Sequence, residues 1–148
     1  MRILTYNIHH WDGRDGRADI ERLSAVINQS GADLVSLNEV VHPVRRRGHL
    51  EFPLAELAQA VGMHWSFGSS TRHIEGLDWR GPVGNAILSR HPIHDFNNHL
   101  LPRLPGTQQR SVLLAHIAVK NFQHAFTFGV TGRGERHLRP EGPRRRHG

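Results

Sequence analysis

The stretch Leu34-Val35-Ser36-Leu37-Asn38-Glu39-Val40 is an apolar run that ends in a carboxylate. A continuous run of this kind predicts a strand that is buried on both faces of a sheet. Ligands of open α/β sheets bind at the carboxyl ends of the strands, which is where Glu39 lies. Glu39 is therefore either a ligand for a charged group or a solvated residue that follows a strand.

The residues before this stretch predict a β-α-β unit. Residues 2–8 are rich in apolar, β-branched and aromatic residues, which indicates a first strand. A helix is expected to start after Asp19, a suitable N-cap, and to end before Gly31. Parallel strands joined by such a crossover deliver their carboxyl ends to one edge of the sheet. Asn7 and Glu39 should therefore be neighbours.

The residues after this stretch predict one more helix and several strands. Residues 43–49 read as a basic loop, either solvated or facing a phosphate, and a second amphipathic helix is expected between Pro53 and Gly62. A short strand at 64–68 precedes a polar loop at 69–82. Further strands are expected at 84–90 and 92–97, followed by a loop at 98–106. Residues 111–119 and 125–130 read as a hairpin.

The composition is that of one globular domain. The chain has 148 residues, of which 37% are hydrophobic and 22% charged, enough to bury a sizeable core. No apolar run is long enough for a transmembrane helix, and the N-terminus does not have the pattern of a signal peptide. Cysteine is absent, which excludes disulfides and thiolate metal sites. A cytoplasmic location is expected.

The positive charge is concentrated at the C-terminus. Residues 132–148 hold six arginines and two glutamates, and so contribute +4 of the net charge of +6. They are dominated by Gly, Pro, Arg and His and cannot form a packed core, so we expect residues 132–148 to be a disordered tail. A non-catalytic protein that binds nucleic acid through this tail is the alternative to an enzyme.

Asn7 and Glu39 form the strongest chemical pair in the chain. A carboxylate and an amide oxygen are hard ligands that suit Mg²⁺, which proteins usually hold through one or two carboxylates, waters and substrate phosphate. The same residue types also occur as turn residues and solvated residues at strand ends, so the pair alone leaves a structural role open.

Three motifs together resemble a known family. Thr5-Tyr6-Asn7-Ile8-His9-His10, Leu37-Asn38-Glu39-Val40 and Gly84-Asn85-Ala86-Ile87-Leu88-Ser89-Arg90 look like the endonuclease/exonuclease/phosphatase family, which includes DNase I. The resemblance covers residues 1–131 and implies an α/β fold: the N-terminal half of a four-layer sandwich, with a mixed sheet and helices on the outer face. It also implies hydrolysis of a phosphate ester by water attack with Mg²⁺ or Mn²⁺.

The resemblance assigns roles to particular residues. Glu39 matches the metal-binding glutamate, and Asn7 matches the asparagine beside the metal and the scissile phosphate. Asn85 matches a substrate-side residue, for which a structural turn is the alternative. Arg110 matches a recurrent arginine on the substrate side. Asn38 stands where the family usually has glutamine.

The later motifs of the family are missing. Thr131 is followed by Gly132, where a Thr-His-Leu motif is expected, and neither a Gly-Asp-Phe-Asn motif nor a late Asp-His pair follows. Without that pair no general base can be identified, and the metal site is incomplete. We therefore expect a fragment that is inactive by itself. His9 and His10 are interpreted as loop residues that flank the site.

The abrupt change at Gly132 suggests a frameshifted or truncated reading of a longer gene. The hypothesis fails if neither other reading frame of the downstream DNA encodes an Asp-Phe-Asn followed by an Asp-His. A half-domain would also leave the inner face of its sheet without a partner sheet. We therefore expect self-association through an exposed apolar sheet face.

Overall fold

The computed structural model describes residues 1–11, 19–46, 48–71, 79–103, 105–119 and 126–131. Of Arg46, Thr71, Trp79, Arg80 and residues 126–131 it describes the backbone only. The predicted tail at 132–148 and residues 72–78 of the predicted loop at 69–82 lie outside the described residues. So do residues 12–18, between the first strand and the first helix, and residues 120–125, within the predicted hairpin.

The chain forms two α-helices, ten strands and one 3-10 turn, His9–Trp11, within these residues. In order the α-helices and strands are β1 (Ile3–Asn7), α1 (Ile20–Ser30), β2 (Leu34–Val41), β3 (Val44–Arg46), β4 (His49–Glu51), α2 (Pro53–Val61), β5 (His64–Thr71), β6 (Trp79–Arg80), β7 (Val83–Ser89), β8 (Ile93–Leu100), β9 (Ser111–Ile117) and β10 (Phe126–Thr131). The α/β class predicted from the sequence is confirmed.

The main sheet has the strand order β1-β2-β7-β5, with β1 parallel to β2 and the other pairs antiparallel. Strand β2 is the interior strand predicted from its apolar run, since seven of its eight residues are buried. The parallel pairing of β1 with β2 confirms the predicted β-α-β unit. The register sets Asn7 beside Asn38, one residue before Glu39.

Both helices are capped as the sequence predicts. The side chain of Asp19 accepts a hydrogen bond from the backbone N–H of Arg22, and Gly31 ends α1 in the left-handed conformation at φ 61°. Helix α2 begins with Pro53 and ends at Gly62 in the same conformation. The apolar faces of the two helices pack on one face of the main sheet, where they build the larger core.

A second sheet, with the order β10-β9-β8, packs against the other face of the main sheet. A smaller core lies between the sheets and contains Leu34, Ile87, Leu113, Ala115 and Ile117. The prediction that the inner face would lack a partner sheet is therefore wrong. The hairpin of β9 and β10 does not extend the main sheet but, with β8, forms a separate layer that covers its inner face.

Helices, main sheet and second sheet make three layers. The far face of the second sheet carries Val112 and Leu114, both partly exposed, and the exposed His116. No helix of the described residues covers this face. The three layers agree with the predicted half of a four-layer sandwich.

Two predicted loops contain strands instead. Residues 43–49 were expected to be a loop, but β3 and β4 form an antiparallel hairpin there, and β6 pairs with β3. Residues 69–82 hold the end of β5 as well as β6. These short strands contain several arginines and no regular alternation of apolar and polar residues. Their sequence therefore gives no local signal for a strand, and they form because the backbone of a neighbouring strand is available for hydrogen bonding.

Candidate metal centre

A β-bulge at the end of β2 positions Glu39. The register of β2 against β7 shifts between Leu37 and Val40, so Asn38 and Glu39 together stand opposite Asn85. Glu39 has φ 56°, a left-handed conformation that is unfavourable for a residue with a side chain. Strained residues of this kind persist where surrounding structure enforces them, and they cluster at functional sites. The bulge therefore re-aims the Glu39 side chain away from the regular pleat.

Glu39 is buried, with 6% of its surface exposed. No arginine or lysine of the described residues forms an ion pair with it. Buried carboxylates are normally paired with a cation or coordinate a metal ion, because desolvation of an isolated charge is costly. The burial of Glu39 thus favours a cation ligand over a solvated residue.

A turn after β1 faces this carboxylate. His9, His10 and Trp11 all have positive φ, at 50°, 60° and 73°. Two hydrogen bonds attach the turn to β2. The backbone N–H of Ile8 donates to the Asn38 carbonyl at 3.1 Å, and the indole N–H of the Trp11 side chain donates to the Val41 carbonyl at 2.7 Å. The turn is thereby fixed to both sides of the bulge.

This turn brings two imidazoles to Glu39. One nitrogen of His9, one nitrogen of His10 and a carboxylate oxygen of Glu39 lie within 4.8 Å of one another. From the sequence, His9 and His10 were interpreted as loop residues that flank the site. The sequence did not predict that their imidazoles lie this close to Glu39. The available signal was their position directly after β1, at the edge where Glu39 was expected.

Two amides stand beside the cluster on neighbouring strands. Asn7 is exposed, and its Oδ1 accepts a hydrogen bond from the His9 backbone N–H at 2.9 Å, so one lone pair of that oxygen remains for another partner. The Oδ1 of Asn38 is buried and has no hydrogen-bond partner among the described residues. A buried amide oxygen without a donor fits a bound cation. The donor set therefore suits a divalent cation.

Asn85 occupies the next strand of the same sheet. It is 1% exposed, and its Nδ2 donates to the carbonyl of Ser111 at 3.3 Å. This bond joins the main sheet to the second sheet directly behind the bulge. Asn85 thus has a structural contact at the site, in addition to its predicted place on the substrate side.

Arg110 immediately precedes β9 and is exposed. Its backbone carbonyl accepts the N–H of Leu101 at 2.9 Å, which fixes the segment that enters the second sheet. The next residue, Ser111, receives the hydrogen bond from Asn85. Arg110 therefore lies one residue from the contact that ties the sheets together at this end.

Arg90, in the third motif, lies elsewhere. Its Nε donates to the Ala32 carbonyl at 3.0 Å, and its N–H donates to the Asp33 carbonyl at 2.9 Å. These contacts are at the start of β2, the end of the strand opposite to Glu39. Arg90 therefore ties the end of β7 to the loop before β2 and takes no part in the candidate site.

Comparison with known proteins identifies relatives of this arrangement. The model of the endonuclease/exonuclease/phosphatase family matches residues 4–126. An uncharacterized protein of Escherichia coli K12, YbhP, is 30% identical over 128 residues, which cover 79% of this chain and 47% of that protein. The chain spans about half the length of the curated relatives it matches.

Solved structures agree with this match. An endonuclease/exonuclease/phosphatase protein from Beutenbergia cavernae is 28% identical, with a TM-score of 0.70, over 88% of this chain and 37% of that chain. A mannosyl-6-phosphatase from Bacteroides thetaiotaomicron shares the fold, with a TM-score of 0.62 and 13% identity, over 87% of this chain and 50% of that chain.

Proposed function

Because the chain belongs to the endonuclease/exonuclease/phosphatase family, we propose that it is the N-terminal portion of a divalent-metal-dependent phosphoesterase. The reaction is hydrolysis of a phosphodiester or phosphomonoester by water attack. One observation carries the proposal: the buried carboxylate of Glu39, which no arginine or lysine of the described chain neutralises, lies at a strained bulge beside two amides and two imidazoles.

The metal would be held by Glu39 and Asn7, with Mg²⁺ or Mn²⁺ as the expected ion. When bound, it supplies positive charge to a phosphate oxygen and to the leaving oxygen. The burial of Glu39 strengthens its attraction for a cation, because water screens the charge less there. Asn7 also holds the adjacent turn through its bond to the His9 N–H.

The substrate phosphate would lie at the same edge of the sheets. Arg110 supplies a guanidinium group, which binds phosphate oxygens through paired hydrogen bonds. Asn85 places an amide between the bulge and Ser111. A phosphate ester of a nucleic acid, a lipid head group or a small molecule presents the same anionic group to these residues.

The chain by itself is proposed to be inactive, with an incomplete metal site. Its sequence contains no late Asp-His pair to orient and deprotonate a water molecule. It also spans 47% of the length of YbhP. Residues 132–148 are proposed to be a frameshifted or truncated continuation, since the expected motif breaks off after Thr131 and Gly, Pro, Arg and His dominate from Gly132 onward.

Mn²⁺ binding and turnover of a generic ester such as bis-p-nitrophenyl phosphate test the proposal together. We expect Mn²⁺ to bind to the chain, Glu39→Ala to abolish binding, and no turnover to occur. Turnover that Glu39→Ala abolishes would support a phosphoesterase and overturn the inactivity of the fragment. A chain that binds no divalent metal would overturn the proposed function.

Self-association through uncovered apolar surface is a further part of the proposal. Ile3, Phe96 and Leu100 are 53%, 48% and 60% exposed. Their registers, beside Leu34, Ala115 and Ser111, place them on the inner faces of the two sheets. Exposed apolar surface on a sheet favours contact with a second copy.

The described residues contain no helix long and apolar enough to span a membrane.

A further inference from the structure

We propose that the turn His9–Trp11 supplies two imidazole ligands to the metal centre at Glu39, so that the centre binds Zn²⁺ or Co²⁺ in preference to Mg²⁺. The inference rests on the proposed function for the use of a divalent metal at Glu39. It departs from that proposal on the ion, which is Zn²⁺ or Co²⁺ instead of Mg²⁺, and on Asn7, which holds the turn instead of the ion. It concerns the identity of the ligands and of the ion, which the family match leaves open.

The geometry brings the three groups to one point. The candidate ligand atoms of His9, His10 and Glu39 lie within 4.8 Å of one another. Two ligand atoms that are each about 2.1 Å from a shared ion are at most about 4.2 Å apart. The spacing within the cluster is therefore close to the spacing that a shared ion imposes.

The turn is held in place before any ion binds. Ile8 and Trp11, which flank the two histidines, are both 6% exposed and belong to the larger core. Their hydrogen bonds to the carbonyls of Asn38 and Val41 attach the turn to β2 on either side of Glu39. The backbone that carries the two imidazoles is consequently held beside the carboxylate.

The backbone of the turn and of Glu39 adopts an unfavourable conformation, and the placement of metal ligands gives a reason for it. Three successive residues with side chains adopt positive φ, and Glu39 opposite them does as well. Such conformations are unfavourable for residues with side chains, so the surrounding structure must compensate for them. A regular strand end would instead direct the two histidines to opposite faces of the sheet.

The chemistry of the three donors determines the ion. Mg²⁺ prefers oxygen ligands in a near-ideal octahedron, whereas imidazole suits Zn²⁺ and other late transition metals. Two histidines and one glutamate are a known ligand set of catalytic zinc, which keeps an open position for water or substrate. Asn7 then acts chiefly by holding the turn, since its Oδ1 accepts the His9 N–H.

Metal titration of the whole chain tests the inference. Calorimetry measures the affinities for Zn²⁺, Co²⁺ and Mg²⁺, and the visible absorption of bound Co²⁺ reports its ligands. The variants are His9→Asn and His10→Asn, because asparagine tolerates positive φ, together with Glu39→Gln. His116→Asn is the matched control, since His116 is exposed on the far face of the second sheet.

We expect the unaltered chain to bind Zn²⁺ at least tenfold more tightly than Mg²⁺. Each of the two histidine variants should weaken Zn²⁺ binding at least tenfold and change the Co²⁺ spectrum, with Mg²⁺ affinity and far-UV circular dichroism unchanged. Glu39→Gln should weaken the binding of every ion, and His116→Asn should weaken none.

Two outcomes overturn the inference and differ in what they imply. If metal binding depends on Glu39 but not on either histidine, the imidazoles are not ligands and the proposed function stands. If the folded chain binds no divalent ion, the inference and the proposed function both fail.

Discussion

Trp11 donates its indole N–H to the backbone carbonyl of Val41 at 2.7 Å, across 30 positions of the chain. This bond attaches the turn that carries His9 and His10 to the strand that carries Glu39. Because the indole is buried, the bond is shielded from competition by water. The relationship makes the candidate metal centre depend on a residue that is not itself a ligand.

Trp11→Phe should therefore destabilise the chain and weaken metal binding together. The phenyl ring retains most of the apolar bulk but loses the donor, which we expect to lower the free energy of unfolding by about 1–3 kcal/mol. Urea unfolding and Zn²⁺ calorimetry measure the two effects. Trp65→Phe is the control, since Trp65 is 39% exposed; equal losses in both variants would contradict the role of the Trp11 bond.

Glu39→Gln should stabilise the metal-free chain. The substitution retains the size of the side chain but removes a buried charge that no arginine or lysine of the described residues pairs. We expect a gain of about 1–3 kcal/mol in the free energy of unfolding and the loss of any stabilisation by added metal. Urea unfolding with and without metal measures both effects, with Glu56→Gln, on exposed α2 surface, as control. If Glu39→Gln instead lowers the free energy of unfolding of the metal-free chain, the Glu39 carboxylate has a stabilising partner and this prediction is wrong.

His42 should make stability depend on pH. It is 7% exposed and its ring packs edge-on against Phe52, Trp65 and Phe67, with centroids 5.0–6.0 Å away. Burial lowers the pKa of His42 below the usual value of a histidine, so between the two pKa values the unfolded chain binds more protons. The contribution of His42 to stability is therefore complete above the unfolded pKa and is lost as pH falls below it.

Urea unfolding at several pH values measures the free energy of unfolding as a function of pH. The range from about pH 7.5 to about pH 5 spans the usual histidine pKa of about 6.5. His42→Phe should reduce the loss of stability at the acid end, because a phenyl ring cannot be protonated. An unchanged pH profile in this variant would exclude His42 as the source. An NMR titration of the His42 ring checks the direction of the pKa shift independently.

Asn85→Ala should loosen the contact between the two sheets. The substitution removes the donor to the Ser111 carbonyl, and Asn85 is only 1% exposed. We expect the free energy of unfolding to fall by about 1–3 kcal/mol. Asn97→Ala, at an exposed position of β8, is the control and should change it little. Equal effects of the two substitutions would argue against a specific role of the cross-sheet bond.

Removing exposed apolar residues should reduce self-association. Phe96→Lys places a charge on the uncovered part of the inner face. Leu50→Lys is the matched control, because Leu50 lies in β4, outside the two large sheets. Phe96 and Leu50 are both 48% exposed. Light scattering at rising concentration should give a mass above that of one chain, reduced by Phe96→Lys alone. A monomeric mass for the unaltered chain at high concentration would contradict the proposal.

Local patterns were sufficient to predict the frame of the site. The apolar run at β2, the caps Asp19 and Gly31, and the helical spacing between them all act over a few residues, so the β-α-β unit was readable. The unit then placed Asn7 next to the end of β2, and the register confirms this to within one residue of Glu39. Asn7, Glu39, Asn85 and Arg110 keep their roles as predictions, which the metal and substrate experiments address.

What the sequence determined by itself is therefore the α/β class, the order of the first elements and the edge at which Glu39 lies. Only the tertiary structure decided the second sheet on the inner face, the bulge at Glu39 and the approach of His9 and His10. Strand pairing and the bond from Trp11 to Val41 join residues far apart in the chain, so no local periodicity encodes them. Positive φ at four residues with side chains opposes their intrinsic preference, and packing of the whole domain must impose it.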